Sequence, residues 1–103
     1  MIGIEGDEFD GYIKDNRAVL VDFWAPWCMP CQMQGRMLEA SMNGLPEGVK
    51  AIKVNVDDNP HLAQRYGVRG IPQLFLFLDG KVAHGWTGLT RPEALFSKIR
   101  ELV

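Results

Sequence analysis

VDFWAPWCMPCQMQG, residues 21–35, sets an aspartate inside an apolar run and then places the chain's two cysteines with only two residues between them. Residues 18–25, AVLVDFWA, are β-branched and aromatic on both alternating faces, as a strand covered on both sides must be. A parallel-sheet core is therefore expected, with Asp22 inside it. An ionised carboxylate on such a strand is costly, so its pKa should rise until it exchanges a proton near neutral pH. That suits a general acid or base. The competing reading is structural, with Asp22 paired to a cation such as Lys53 on the next strand.

Cysteines at i and i+3 on a tight turn entering a helix can close a disulfide, because the turn brings their Cβ atoms within bonding range. Cys28 at the helix N-terminus would meet free backbone N–H groups and the positive end of the helix dipole, which favour thiolate over thiol. It is the expected nucleophile. Cys31, one turn inside and less open to water, is the expected resolving thiol that attacks a mixed disulfide at Cys28. Three other readings compete. Zinc needs about four ligands, and beyond this pair the chain offers His61 and His84, whose spacing fits no common finger. A structural disulfide across two residues would constrain little of the unfolded chain. Inert buried thiols fit poorly with Pro26, Trp27 and Pro30 stiffening the turn.

Outward from this centre, Met33, Met37, Leu38, Met42 and Leu45 recur at three-to-four spacing, which predicts an amphipathic helix stopped near Gly44 with its methionines packed in the core. KAIKVNVDD, residues 50–58, alternates Ile52, Val54 and Val56 against Lys53 and Asn55 and reads as a second strand. Asn59 as N-cap, Pro60 at the first helical position and Gly67 as a stop predict a short helix. Asp79-Gly80 joins two further strands in a hairpin. TRPEALFSKIRELV, residues 90–103, reads as a helix opened by a Thr90–Glu93 capping box, with Leu95, Phe96, Ile99, Leu102 and Val103 on one face. Phe9, Tyr12 and Ile13 suggest a first helix after a short strand near residues 2–4. The expected order is (β)αβαβαββα.

A length of 103 residues fits one domain, residues 1–103, with a core that needs no staples. A net charge of −2 with scattered basic residues gives no general attraction for nucleic acid or anionic lipid. The amino-terminal MIGIEGDEFDGY shows no signal-peptide pattern, and no apolar run approaches the roughly 18 residues of a membrane span. A cytoplasmic protein is expected, where a CxxC beside a βαβ pattern points to redox work.

FWAPWCMPC, the helix after it, KVNVDDNP, YGVRGIPQL and LDGKV, in that order, resemble the thioredoxin family across nearly the whole chain. The resemblance implies a thioredoxin fold of α/β class: a central mixed sheet of four to five strands with helices on both faces. It further implies an exposed nucleophile at Cys28, a resolving Cys31, an acid at Asp22 serving the resolving thiol, with the family's matching lysine at Lys53. Ile71-Pro72 would be a cis peptide facing the disulfide. Trp27, Met29, Pro30, Ile71, Pro72, Thr87 and Gly88 would receive an extended substrate segment. The implied partners are disulfide-containing proteins and a thioredoxin-reductase-type electron donor, and the implied protein is a monomer needing no cofactor or metal. Met29 stands where most thioredoxins have Gly, and Arg36 where many have Pro, so thiol environment and partner set should differ locally. The leading expectation is a protein-disulfide reductase working through Cys28 and Cys31. The alternatives are a specialised redox protein for a dedicated partner, and a binding module whose thiols are idle.

Overall fold

In the computed structural model, which describes residues 1–103, the chain runs β1 (Ile2–Gly3), α1 (Gly6–Asp15), β2 (Ala18–Trp24), α2 (Met29–Ala40), β3 (Val49–Asn55), α3 (Pro60–Arg65), β4 (Gln73–Leu78), β5 (Lys81–Thr87) and α4 (Pro92–Leu102). The expected order holds, and the edge strand β1 is present but only two residues long. The strands form one sheet ordered β1-β3-β2-β4-β5, parallel from β1 to β2 and antiparallel from β2 to β5. β2 lies at its centre, which explains why its sequence is apolar on both faces.

The two-residue period of a strand sorts the core into two layers. Val19, Val21 and Phe23 of β2, with Ile52 and Val54 of β3, pack against Phe9 and Ile13 of α1 and Leu62 of α3. Phe9, Phe23, Tyr66, Phe75 and Phe77 join this layer as an aromatic cluster with ring centroids 5.2 to 6.4 Å apart. Tilted and edge-on pairs of this kind add roughly 0.5–1.5 kcal/mol each beyond burial. Ala18 and Leu20 point the other way, with Ala51, Leu74 and Leu76, onto Leu38 of α2 and Leu95, Phe96 and Ile99 of α4. By the same alternation Asp22 and Lys53 belong to this second face, beneath α2.

Asp79 and Gly80 have φ of 51° and 82°, the left-handed pair that a two-residue hairpin requires between β4 and β5. Asn59 and Pro60 start α3 as expected, and Gly67, at φ 66°, follows its end.

Three expectations need correction. α2 ends at Ala40, and a single 3-10 turn, Met42–Gly44, follows it. Gly44 is not its stop. A Cβ there would lie 3.2 Å from the Phe96 ring, so the residue permits close approach of α4. The methionines do not form the buried stripe either: Cys31, Gln34 and Leu38 do, and Met33 is 47% exposed. Finally, Thr90 does not cap α4. Pro92 occupies the first helical position and makes Arg91 the N-cap, while the Thr90 hydroxyl donates to the Gly88 carbonyl at 3.0 Å. No helix is long and apolar enough to cross a membrane.

Candidate active site

The chain leaves the carboxyl end of β2, turns through Ala25–Trp27 and enters α2 with Cys28 as N-cap. The turn is held by the Cys28 N–H donating to Ala25 O at 3.1 Å. Cys31 donates its backbone N–H to Cys28 Sγ at 3.2 Å, so the sulfur occupies the place where a Ser or Asp side chain commonly caps a helix. A donor and a helix dipole directed at sulfur both favour the thiolate once the pair is reduced. Cys28 and Cys31 form a disulfide, with Cα atoms 5.2 Å apart. Both are largely buried in this oxidised state, at 5% and 2% exposure. The expected exposure of Cys28 is therefore not seen in this state: the closed disulfide packs both residues against Ala25, and Cys28 is only slightly the more open of the two. Its access lies at the rim, where its Sγ is 3.8 Å from the carbonyl oxygen of Ile71. The Ile71–Pro72 peptide is cis.

The residues expected to receive substrate gather around this rim. Trp27 and Met29 are 68% and 64% exposed, and Pro30 follows them on the surface. The Trp27 indole donates to Asp57 Oδ2 at 2.9 Å, which fixes the ring's orientation. Gly88 donates its N–H to Pro72 O at 2.8 Å, joining the loop after β5 to the Ile71–Pro72 segment. Thr87 donates its hydroxyl to Gln73 Oε1 at 2.7 Å. Trp86 is a partly buried sheet residue, its ring edge-on to His84 at 4.7 Å between centroids.

Behind the disulfide, Asp22 is 1% exposed and its Oδ1 has no hydrogen-bond partner. Burial pushes its pKa up from 3.8 to about 7, and the nearby Lys53 charge pulls it partly back. Lys53 lies opposite Asp22 in the β2–β3 register, yet its Nζ sits 4.8 Å over the Trp24 ring and makes no ion pair with the carboxylate. Asp22 and Cys31 line one cleft of about 680 Å³ with Lys53, Trp24, Gln32 and Arg36. The two groups thus share one cleft on the α2 side of the sheet. Arg36, exposed on α2, adds a cation to the lining of this cleft.

Gln34 is a residue the sequence reading missed. It is fully buried and bonds twice to the backbone of Thr90, donating to its carbonyl at 2.9 Å and accepting from its N–H at 2.8 Å. The available signal was helical spacing: Gln34 lies three residues after Cys31 and four before Leu38, on the stripe that faces the sheet.

The sequence model of the thioredoxin family matches residues 1–101. A thioredoxin of Porphyra purpurea is 37% identical over 91 residues, 88% of this chain and 85% of that protein. One from Rhodospirillum rubrum is 42% identical over 91 residues, 88% of each chain. Thioredoxin 1 of Synechococcus elongatus reaches 49% over 69 residues, 67% of this chain and 64% of that one. Among solved structures, a mutant thioredoxin from Halobacterium salinarum superposes with a TM-score of 0.87 at 39% identity, covering 97% of this chain and 88% of the other.

Proposed function

The chain belongs to the thioredoxin family and is a thiol-disulfide oxidoreductase, and we propose that Cys28 is its nucleophile and Cys31 its resolving thiol in the reduction of protein disulfides. The Cys28 thiolate attacks one sulfur of a substrate disulfide, and the other substrate sulfur leaves as a thiolate. Cys31, deprotonated, then attacks Cys28 Sγ, which closes the Cys28–Cys31 disulfide and releases the second substrate thiol. Two electrons have passed to the substrate, and a reductase-type dithiol donor returns them. The observation that carries this assignment is the Cys31 N–H donating to Cys28 Sγ at the helix start, which distinguishes the two sulfurs electrostatically.

Asp22 is the group that takes the Cys31 proton, directly or through water in the shared cleft; its pKa near 7 suits that exchange at neutral pH. Lys53 keeps the carboxylate form accessible by opposing the effect of burial. Trp27, Met29, Pro30, Ile71, Pro72, Thr87 and Gly88 receive an extended stretch of substrate beside the disulfide. Backbone groups of the Ile71–Pro72 segment and the Gly88 loop offer strand-like pairing for it. One chain supplies every residue of this site, which supports action as a monomer. The net charge of −2 supports protein rather than nucleic acid as partner. A cytoplasmic location accords with the need to keep the pair reduced.

Insulin reduction driven by dithiothreitol tests the reading. The protein should accelerate it catalytically, and Cys28→Ser should abolish the acceleration. A binding module with idle thiols predicts no acceleration and undiminished partner capture after loss of both cysteines. A dedicated-partner redox protein is the second reading, favoured by the exposed Met29 next to the nucleophile, and it predicts slow insulin turnover with intact Cys28 reactivity.

A further inference from the structure

We propose that Gln34 is a positioning residue for this reaction: its side-chain amide clamps the Gly88–Thr90 loop to the active-site helix and so sets one wall of the substrate groove relative to the sulfurs. The proposal rests on the reading above that this loop receives substrate.

A primary amide carries one acceptor and one donor group at its end, so it can pair with a backbone N–H and C=O together, as a neighbouring strand would. Gln34 does this with Thr90, accepting at 2.8 Å and donating at 2.9 Å. Neither side of the pairing is optional, because the amide is fully buried and an unpaired polar group there is expensive. Asn would be one methylene too short, and an apolar side chain of equal length would leave both Thr90 groups without a partner.

The clamp joins two parts of the site that are otherwise far apart in sequence. On the helix side, Gln34 lies one turn beyond Cys31 on the same buried stripe. On the loop side, the Thr90 hydroxyl donates to Gly88 O at 3.0 Å, and Gly88 N–H donates to Pro72 O at 2.8 Å. Gly88 itself has φ 86°, so the chain reverses sharply there. Leu89 is left between the two anchors, with 45% of its surface exposed, on a loop hydrogen-bonded at both ends. Loss of the amide frees Thr90 while leaving the disulfide, its N-cap bond and the Asp22 cleft in place. Recognition of a polypeptide should suffer, and sulfur chemistry should not.

The test compares Gln34→Met, which keeps length and burial, with the wild type on two substrates: insulin under dithiothreitol, and dithiobis(nitrobenzoate), a disulfide with no chain to lie along the groove, mixed with the pre-reduced protein after dithiothreitol has been removed, since free dithiol would reduce it directly. The expected result is a KM for insulin raised about tenfold, as for a lost pair of buried hydrogen bonds, with kcat within about twofold. The rate on the small disulfide should be unchanged. Equal losses on both substrates, or no loss on either, would overturn the proposal. Gln34→Asn, which stays polar but cannot reach Thr90, should give the same split and carries the test if the Met variant fails to fold. A third variant, Leu89→Asp, with the clamp intact, separates the proposal from its premise. An unchanged insulin KM for Leu89→Asp would overturn the docking role of the loop, and the proposal with it. A raised KM for Leu89→Asp beside an unchanged one for both Gln34 variants would leave the docking role standing and overturn the clamp alone.

Discussion

Asp22 and Lys53 stand side by side in adjacent strands, on the same face of the sheet, without forming an ion pair. Lys53 is turned over the Trp24 ring, and Asp22 Oδ1 is left with no partner. Removing the charge from an ion pair exposes its partner and is strongly destabilising, whereas removing an unpaired buried carboxylate relieves a cost. The arrangement therefore sacrifices stability for a carboxyl group that can change protonation state near neutral pH.

Asp22→Asn should stabilise the protein in a pH-dependent way. The folded protein holds the Asp22 proton up to about 7 against an ordinary value of 3.8. Between those values the unfolded chain has lost the proton and the folded protein keeps it, so the contribution to stability is full below about pH 4, falls as pH rises, and levels off above about pH 7. The whole difference amounts to at most about 4 kcal/mol. Urea unfolding should show the variant more stable than wild type at pH 8 by up to that amount, and the gain should vanish at pH 4. The same variant should reduce insulin at least about tenfold more slowly at neutral pH, since a positioned acid or base is gone. Lower stability at pH 8 with a normal rate would mean a structural carboxylate.

Replacing Lys53 acts on the same group from outside. Lys53 opposes the effect of burial, so Lys53→Met should move the Asp22 titration to higher pH. The pH profile of disulfide exchange should shift alkaline with it, and the shift should disappear in the Lys53→Met, Asp22→Asn double variant. A profile unmoved by the single substitution would separate Lys53 from the proton transfer.

Met29 is exposed at 64%, at the first position of the helix that Cys28 caps. Its flexible apolar side chain suits contact with varied partners, and Gly would add backbone freedom to the turn. Met29→Gly should change the relative rates on two unrelated protein disulfides by about two- to fivefold, the scale of one partly buried side chain. Equilibration with glutathione should move as well if the turn alters the thiol environment. No change in either quantity would make Met29 a neutral replacement.

The strands, the order of elements along the chain and the cysteine site were legible because each rests on a short-range signal. The apolar strand interrupted by Asp22, the Asp79-Gly80 turn and the CxxC at a helix start are all local. What was not legible came from tertiary partners. The methionine spacing predicted a core stripe, but a 3.6-residue period does not say which of two overlapping stripes faces the sheet. The line Cys31–Gln34–Leu38 won because Thr90 offers Gln34 two buried hydrogen bonds. Thr90 and Glu93 had the spacing of a capping box, but Pro92 moved the helix start and the Thr90 hydroxyl found Gly88 O. Gly44 resembled a helix stop, whereas its lack of a side chain serves Phe96.

The division of labour between the two sulfurs is the central claim, and mixed-disulfide trapping tests it most directly. Reduced Cys31→Ser protein, incubated with insulin and examined by non-reducing electrophoresis and intact-mass spectrometry, should accumulate a covalent adduct through Cys28, because the resolving thiol is gone. Cys28→Ser should trap little and turn over nothing. Accumulation of the adduct on Cys31 in the Cys28→Ser protein, with none in Cys31→Ser, would contradict the account and reverse the roles.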